Sequence, residues 1–190
     1  MALVAGTSVI ALCLMTLFIL NPELDDPTTT RADALVVLAS APERFQEAER
    51  IMGMGLIPTV VYSVVPRARI NTASECQPRS TYRVLCISPD PVTTQGEAIA
   101  LGDLARQEGW DSVAVLTFDA HVTRSKVHVT RCFPGEVKMM AMDRPVAPRL
   151  RFREVTHELA GLMKASAGWG CSDMLPDWTQ RPIDILKSTP

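Results

Sequence analysis

Residues 1–20, MALVAGTSVIALCLMTLFIL, carry no charge, and the first charged side chain is Glu23. A polar, proline-containing stretch, NPELDDPTTTRA (21–32), separates this block from a more regular pattern. DALVVLA (33–39) is a short continuous apolar run, the mark of a strand buried on both faces. PERFQEAERIMGMG (42–55) has helical spacing, with Pro42 suited to a first turn and Gly53 or Gly55 to the stop. PTVVYSVV (58–65), rich in β-branched residues, predicts a second strand, and PRARINTASECQPRST (66–81) a long polar surface loop. RVLCIS (83–88) is the third strand. In PDPVTTQGEAIALGDLARQEGW (89–110) the prolines end the strand side, and Thr94-x-x-Glu97 opens a helix. Its apolar face is Ala98, Ile99, Leu101, Leu104 and Ala105. DSVAVLTF (111–118) is the fourth strand and residues 119–132 the following helix. EVKMMAM (136–142) predicts a last strand and RFREVTHELAGLMKA (151–165) a last helix. The remainder is Gly-, Pro- and Asp-rich and predicts irregular chain.

Strand and helix alternate throughout, and no internal repeat is visible. This predicts an α/β fold: a Rossmann-like, mostly parallel sheet with helices on both faces. The 190 residues divide into an N-terminal segment (1–20), a linker (21–32), one α/β domain (33–167) and a tail (168–190). Ligands of such sheets bind outside the carboxyl ends of the strands. The loops of interest are therefore 39–42, 64–82, 88–95 and 117–121.

About 20 apolar residues at ~1.5 Å rise match a bilayer core of ~30 Å. The segment lacks the basic start and small-x-small cleavage site of a secretory signal, so a single transmembrane anchor is the favoured reading over a cleaved signal or a buried helix. A net charge of −2 argues against a globally basic nucleic-acid binder. Cys13 lies in the anchor. Cys76, Cys86, Cys132 and Cys171 are an even number in the remaining chain, which allows two disulfides; four separately buried thiols are the alternative. Their irregular spacing, without C-x-x-C, argues against zinc, and no metal site is expected. Disulfides would place the domain outside the cytoplasm.

The chemistry-bearing residues cluster in two places. His121 and Arg124 follow a strand end, in the first turns of a helix, where free N–H groups and the helix dipole favour anions. Arg124 adds a permanently charged donor, and His121 can act as acid or base near neutral pH. Helical spacing puts His121, Ser125, His128 and Cys132 near one face. A helix-end histidine beside a surface arginine is the plainer reading. Thr94-x-x-Glu97 has the form of a capping box; alternatively Glu97 orients His121 or serves as a base. Gly53-Met-Gly55 does not follow a strand and is no dinucleotide motif. G-x-S-x-G and the P-loop are absent. Ser40 and Ser63 end strands without an evident partner. His157-Glu158 reads as helix surface. Arg144, Arg149, Arg151 and Arg153 read as a solvated face or a contact for anionic lipid headgroups.

In this order, strand DALVVLA, a helix carrying Arg44, strand PTVVYSVV, PDPVTTQGEA, strand SVAVLTF and H-x-x-R at His121 and Arg124, residues 33–140 resemble the YdcF-like family of SanA- and ElyC-type envelope proteins. The resemblance implies a Rossmann-like domain, commonly membrane-anchored, linked to envelope integrity and to peptidoglycan or its lipid carrier. It maps Asp90, Thr93, Thr94, Glu97, His121 and Arg124 onto the family's motif positions. Two turns depart from it: ASAPER (39–44) replaces a Gly-rich turn, and YSVVP (62–66) replaces Ser-Gly-Gly. Backbone without glycine approaches a ligand less closely.

The expectation is a single-pass plasma-membrane protein with an extracytoplasmic domain. It would bind or process an anionic, phosphate-containing envelope intermediate, with Arg124, Thr93, Thr94 and Asp90 as ligand-binding residues and His121 and Glu97 as catalytic ones. The expected bridges are Cys76–Cys86, joining loop to strand, and Cys132–Cys171, tying the tail to the His121 helix. Two alternatives remain, a nucleotide- or S-adenosylmethionine-binding protein and a non-catalytic envelope scaffold.

Overall fold

The computed structural model of the chain describes residues 14, 16, 21–38, 42–64, 76–142, 148–167 and 171. The expected anchor, apart from Leu14 and Thr16, lies outside them. So do Ser40, Arg144, most of the 66–81 excursion and the tail save Cys171. No helix among the described residues is long and apolar enough to cross a membrane.

The strands are β1 (Ala34–Val37), β2 (Thr59–Ser63), β3 (Arg83–Ile87), β4 (Ser112–Phe118) and β5 (Glu136–Met142). They form one parallel sheet in the order β3-β2-β1-β4-β5. The helices are α1 (Pro42–Met52), α2 (Thr94–Glu108), α3 (Val122–Cys132) and α4 (Pro148–Ala167). Central β1 pairs with β2 through Leu35↔Val60 and with β4 through Leu35↔Ala114. The chain thus leaves β1 toward one edge and returns at β4 to build the other. That reversal puts a crevice at the carboxyl ends of β1 and β4.

Side-chain alternation along each strand divides the core in two. Leu35, Val37, Val60, Tyr62, Ala114 and Leu116 face Phe45, Ala48, Ile51 and Met52 of α1. Val36, Val61, Val113, Val115 and Met139 face Ala98, Leu101 and Ala105 of α2 and Val122 and Val129 of α3. Helices therefore cover both faces, as the alternation predicted. α1 ends at Met52, and Gly55 makes the left-handed turn (φ 70°). α2 and α3 meet at Gly102, where a β-carbon would strike the Cys132 carbonyl. α4 lies outside this layer, packed on α3 and on the turn that precedes it.

The stretch 21–32 is more than a linker. The Asp25 N–H donates to the Met139 carbonyl (2.8 Å), and the Asp25 carboxylate accepts from the Met139 N–H (2.7 Å). Asp26 organises the next turn: its side chain accepts from Thr28 and its carbonyl from the Thr30 hydroxyl. Asp33 Oδ2 then accepts from the Asp111 N–H and from the N–H and hydroxyl of Ser112. The two Asp25 bonds occupy the backbone N–H and carbonyl of Met139 on edge strand β5, where unpaired groups would otherwise invite pairing with another chain.

Both expected disulfides are formed. Cys76–Cys86 closes onto β3, and Cys132–Cys171 fastens the tail to the end of α3.

Candidate functional site

The site is built where β4 ends. Its apolar run stops at Phe118, and Asp119 turns the chain by accepting the Ala120 N–H on its own carboxylate (2.7 Å). A 3₁₀ turn, Asp119–His121, follows, and α3 starts at Val122. The helix expected over 119–132 thus begins with a tighter turn, because the Asp119 side chain holds the first backbone N–H. His121 closes that turn and Arg124 lies in the first turn of α3.

The second contribution comes from the start of α2. The expected capping box at Thr94 and Glu97 is displaced by one residue. Thr93 is the N-cap: its hydroxyl accepts from the Gly96 N–H at 3.1 Å. Gly96 is needed there, because a β-carbon would collide with the Pro91 carbonyl. With Thr93 doing the capping, the Thr94 hydroxyl takes part in a different set of bonds.

α4 supplies the third contribution. Sequence reasoning put His157-Glu158 on the helix surface. His157 is indeed exposed, but Glu158 is buried and reaches the site. The signal was present in the spacing. Glu158, Leu162 and Ala165 fall on one helical face, all of them buried, so a carboxylate stood in an apolar stripe. Gly161, one turn on, lets α4 approach: a β-carbon there would stand 2.7 Å from Arg124 Cδ and 2.9 Å from its Nε.

Thr94, His121, Arg124 and Glu158 converge. Arg124 Nε donates to Glu158 Oε2 (2.7 Å) and Nη2 donates to Oε1 (2.9 Å), a two-pronged ion pair. Arg124 Nη1 donates to Thr94 Oγ1 at 3.0 Å. His121 Nε2 lies 3.3 Å from Thr94 Oγ1, while its Nδ1 lies 3.1 Å from Glu158 Oε2 and 2.9 Å from Arg124 Nη2. Side-chain exposure of His121, Arg124 and Glu158 is 13%, 16% and 10%, so water screens these charges little.

Electrostatics follow from that burial. Desolvation pushes His121 below the usual imidazole range, and the nearby Arg124 charge adds to it, against the opposing hydrogen bond to Glu158. The ring is therefore neutral at neutral pH. Burial alone would raise Glu158, but hydrogen bonds from His121, His157 and Arg124 outweigh it, and the carboxyl is held well below its ordinary value. Half-buried His128 is pushed down to about 4, by burial first and then by the charges of Arg124 and Arg131.

The other expected residues take different places. Glu97 is buried close enough for its charge to act on His121. The carboxylate at hydrogen-bond distance from Nδ1 is that of Glu158, the role sequence reasoning sought at Glu97. Thr93 is exposed and caps α2; Asp90 is exposed and joins no part of the cluster. Arg44, buried at the start of α1, donates to the Leu38 carbonyl and stacks its guanidinium 3.7 Å from the Phe118 ring centroid, pinning the ends of β1 and β4 together. Among the described residues no group of His, Cys, Asp and Glu is arranged to hold a metal ion.

Fold and site together define an α/β protein of Rossmann-like architecture with a buried hydroxyl–imidazole–guanidinium–carboxylate cluster at the carboxyl end of β4. No family model, curated protein or solved structure matches the chain.

Proposed function

We propose that this protein is a membrane-anchored, extracytoplasmic member of the YdcF-like type that binds and processes an anionic, phosphate-containing cell-envelope intermediate. The observation that carries the reading is the convergence of Thr94, His121, Arg124 and Glu158 beside the N-termini of α2 and α3. Gly96 N–H there is given to the Thr93 hydroxyl and Val122 N–H to the Asp119 carbonyl, and the positive ends of the helix dipoles favour an anion. Arg124 Nη1 carries a second N–H besides the one given to Thr94. His121, neutral and oriented by its neighbours, is the acid/base group. The two disulfides support an oxidising compartment, and residues 1–20 supply the anchor.

Each rival has one observation in its favour. The sheet order suits a nucleotide or S-adenosylmethionine in the same crevice, although oxidised cysteines do not fit a cytoplasmic cofactor. The engagement of Arg124 by Glu158 suits a purely structural cluster.

The test is thermal unfolding of the full chain in detergent micelles with polyprenyl phosphate analogues, peptidoglycan precursors, nucleotides and S-adenosylmethionine. A ligand at ~100 times its dissociation constant adds about 2.7 kcal/mol. Stabilisation by the phosphate-containing lipids, lost in His121→Ala and Arg124→Ala, is the expected result. Stabilisation by nucleotide or S-adenosylmethionine alone would replace the reading with the first rival, and none by any ligand with the second.

A further inference from the structure

An anion-binding site needs donors. It does not need a hydroxyl and a carboxylate on opposite nitrogens of one imidazole. Yet Thr94 Oγ1 stands 3.3 Å from His121 Nε2, and Glu158 Oε2 stands 3.1 Å from Nδ1. We infer that Thr94 is the nucleophile of the site, activated by His121 and oriented through Glu158, and that its substrate is a phosphate ester or diphosphate whose phosphoryl group it takes up. The inference rests on the phosphate reading above and adds to it a covalent step.

Four observations besides the line of contacts point the same way. Thr94 is not needed to cap its own helix, since Thr93 does so. Thr94 is the first residue of the 15-residue helix α2, so charge developing at its hydroxyl meets the positive end of that helix. Arg124 Nη1 already donates to Thr94 Oγ1 at 3.0 Å, the direction of donation that stabilises an alkoxide. The residue is only 8% exposed, which keeps bulk water from competing for the activated oxygen.

Glu158 and Arg124 compete for Nδ1, and the location of the ring proton decides the matter. With the proton on Nδ1, donated to Glu158, Nε2 has a lone pair for the Thr94 hydroxyl proton. With the proton on Nε2, Nδ1 accepts from Arg124 Nη2, and the ring can only donate to Thr94. That second arrangement leaves Nδ1 facing a carboxylate oxygen with no proton between them. The first arrangement turns an Arg124 Nη2 N–H toward Nδ1–H, but Nη2 keeps Glu158 Oε1 as its acceptor at 2.9 Å while the ring proton goes to Glu158 Oε2, and the nucleophile assignment takes this arrangement.

The step balances without an oxidant or reductant. Thr94 Oγ1 attacks phosphorus, forming the Oγ1–P bond while the bond from phosphorus to the leaving oxygen breaks. The hydroxyl proton moves to His121 Nε2 and on to the leaving oxygen. Water, losing a proton to the same nitrogen, then attacks phosphorus; the P–Oγ1 bond breaks, Thr94 regains its proton and inorganic phosphate departs.

The experiment uses the full, oxidised chain in detergent micelles with p-nitrophenyl phosphate as probe. p-Nitrophenolate release, intact mass and binding of inorganic phosphate are followed together, and nitrogen NMR of ligand-free protein locates the His121 proton. The expected result is a phosphoryl adduct on Thr94, the ring proton on Nδ1, and release lowered at least ~100-fold in Thr94→Val and His121→Ala. Thr94→Ser, which keeps the hydroxyl and the fold, retains the adduct. Absence of the adduct, unchanged release in Thr94→Val, or a proton on Nε2 overturns the nucleophile. If inorganic phosphate still binds in that case, the phosphate reading survives; if it binds neither parent nor variant, both fall.

Discussion

Replacing Glu158 by alanine tests how the cluster is held. The substitution removes the acceptor of the 2.7 and 2.9 Å bonds from Arg124 and of the 3.1 Å contact to His121. At such separations and an effective dielectric of about 20, two unit charges attract by about 6 kcal/mol before desolvation is counted. Removing one partner of a buried pair typically costs ~3–5 kcal/mol, because the other charge stays buried without it. Arg124 keeps its bond to Thr94 and some access to water, which places the expected loss at about 3 kcal/mol. For a chain of this length that is a fall of roughly 6–12 °C in Tm. The assay is thermal unfolding of the full chain with disulfides intact, run for Glu158→Ala, Arg124→Ala and the double variant. The double variant should be less destabilised than the two singles combined, since it leaves no orphaned cation. A Glu158→Ala protein melting within about a degree of the parent, or strict additivity, would refute the view that this pair fastens α4 to α3.

Acidification should act first through histidine. The folded pKa of His128 is depressed to about 4 and that of His121 is also lowered, so on acidification the unfolded chain takes up protons before the folded one. Stability is complete above roughly pH 6.5 and declines as pH falls toward 4; Tm measured across that window should drop, and His128→Asn should flatten the curve, whereas a flat parent curve contradicts the burial argument. Glu158, with its depressed pKa, contributes stability above the ordinary carboxyl range and loses it only at lower pH. Thr93→Ala should cost about 1 kcal/mol through the lost cap of α2, and Gly96→Ala more, by displacing the Pro91 carbonyl; denaturant midpoints that rank them the other way would count against the displaced cap. Opening Cys132–Cys171, with a separation of 39 residues, should cost about 4 kcal/mol, and opening Cys76–Cys86, with a separation of 10, about 3 kcal/mol on a loop-entropy basis. Peptide mapping without reduction checks the pairing, and paired Cys→Ser variants check the order.

The sheet was legible because its signals are local. β1, β2 and β4 have apolar centres, and helices of readable phase follow β1, β3 and β4, which leaves little besides a parallel sheet. The positions of His121 and Arg124 followed from a strand ending abruptly at Phe118. The partner of those residues was harder to find. Glu158 lies more than thirty positions away, and no local rule joins it to Arg124. Its mark was a carboxylate in the buried stripe of α4, next to a glycine whose missing side chain makes room. The cap was misplaced by one because the S/T-x-x-E rule favours Thr94, three residues before Glu97, whereas the N–H that is capped belongs to Gly96, three residues after Thr93 and close against the Pro91 carbonyl. The role of 21–32 was hidden for a different reason. Polar, proline-containing chain looks alike whether it is free or bonded to an edge strand.

The clasp of Asp25 on Met139 also fixes how the protein carries load. Were residues 1–20 held in a bilayer, as proposed, only residues 21–24 would separate anchor from clasp, a tether of about 14 Å at full extension. Such a tether would give the domain little freedom to tumble. Edge strand β5 would then stay on the side nearest the lipid, and the carboxyl end of β4 at nearly constant height above it. Tension along the tether would load the Glu23–Lys126 ion pair, then the two Asp25 bonds and then the Asp33–Ser112 knot, before any strand of the sheet is pulled. In that setting the N-terminal stretch would work as a mechanical fuse, yielding in sequence while β4 and the cluster at its end remain in place.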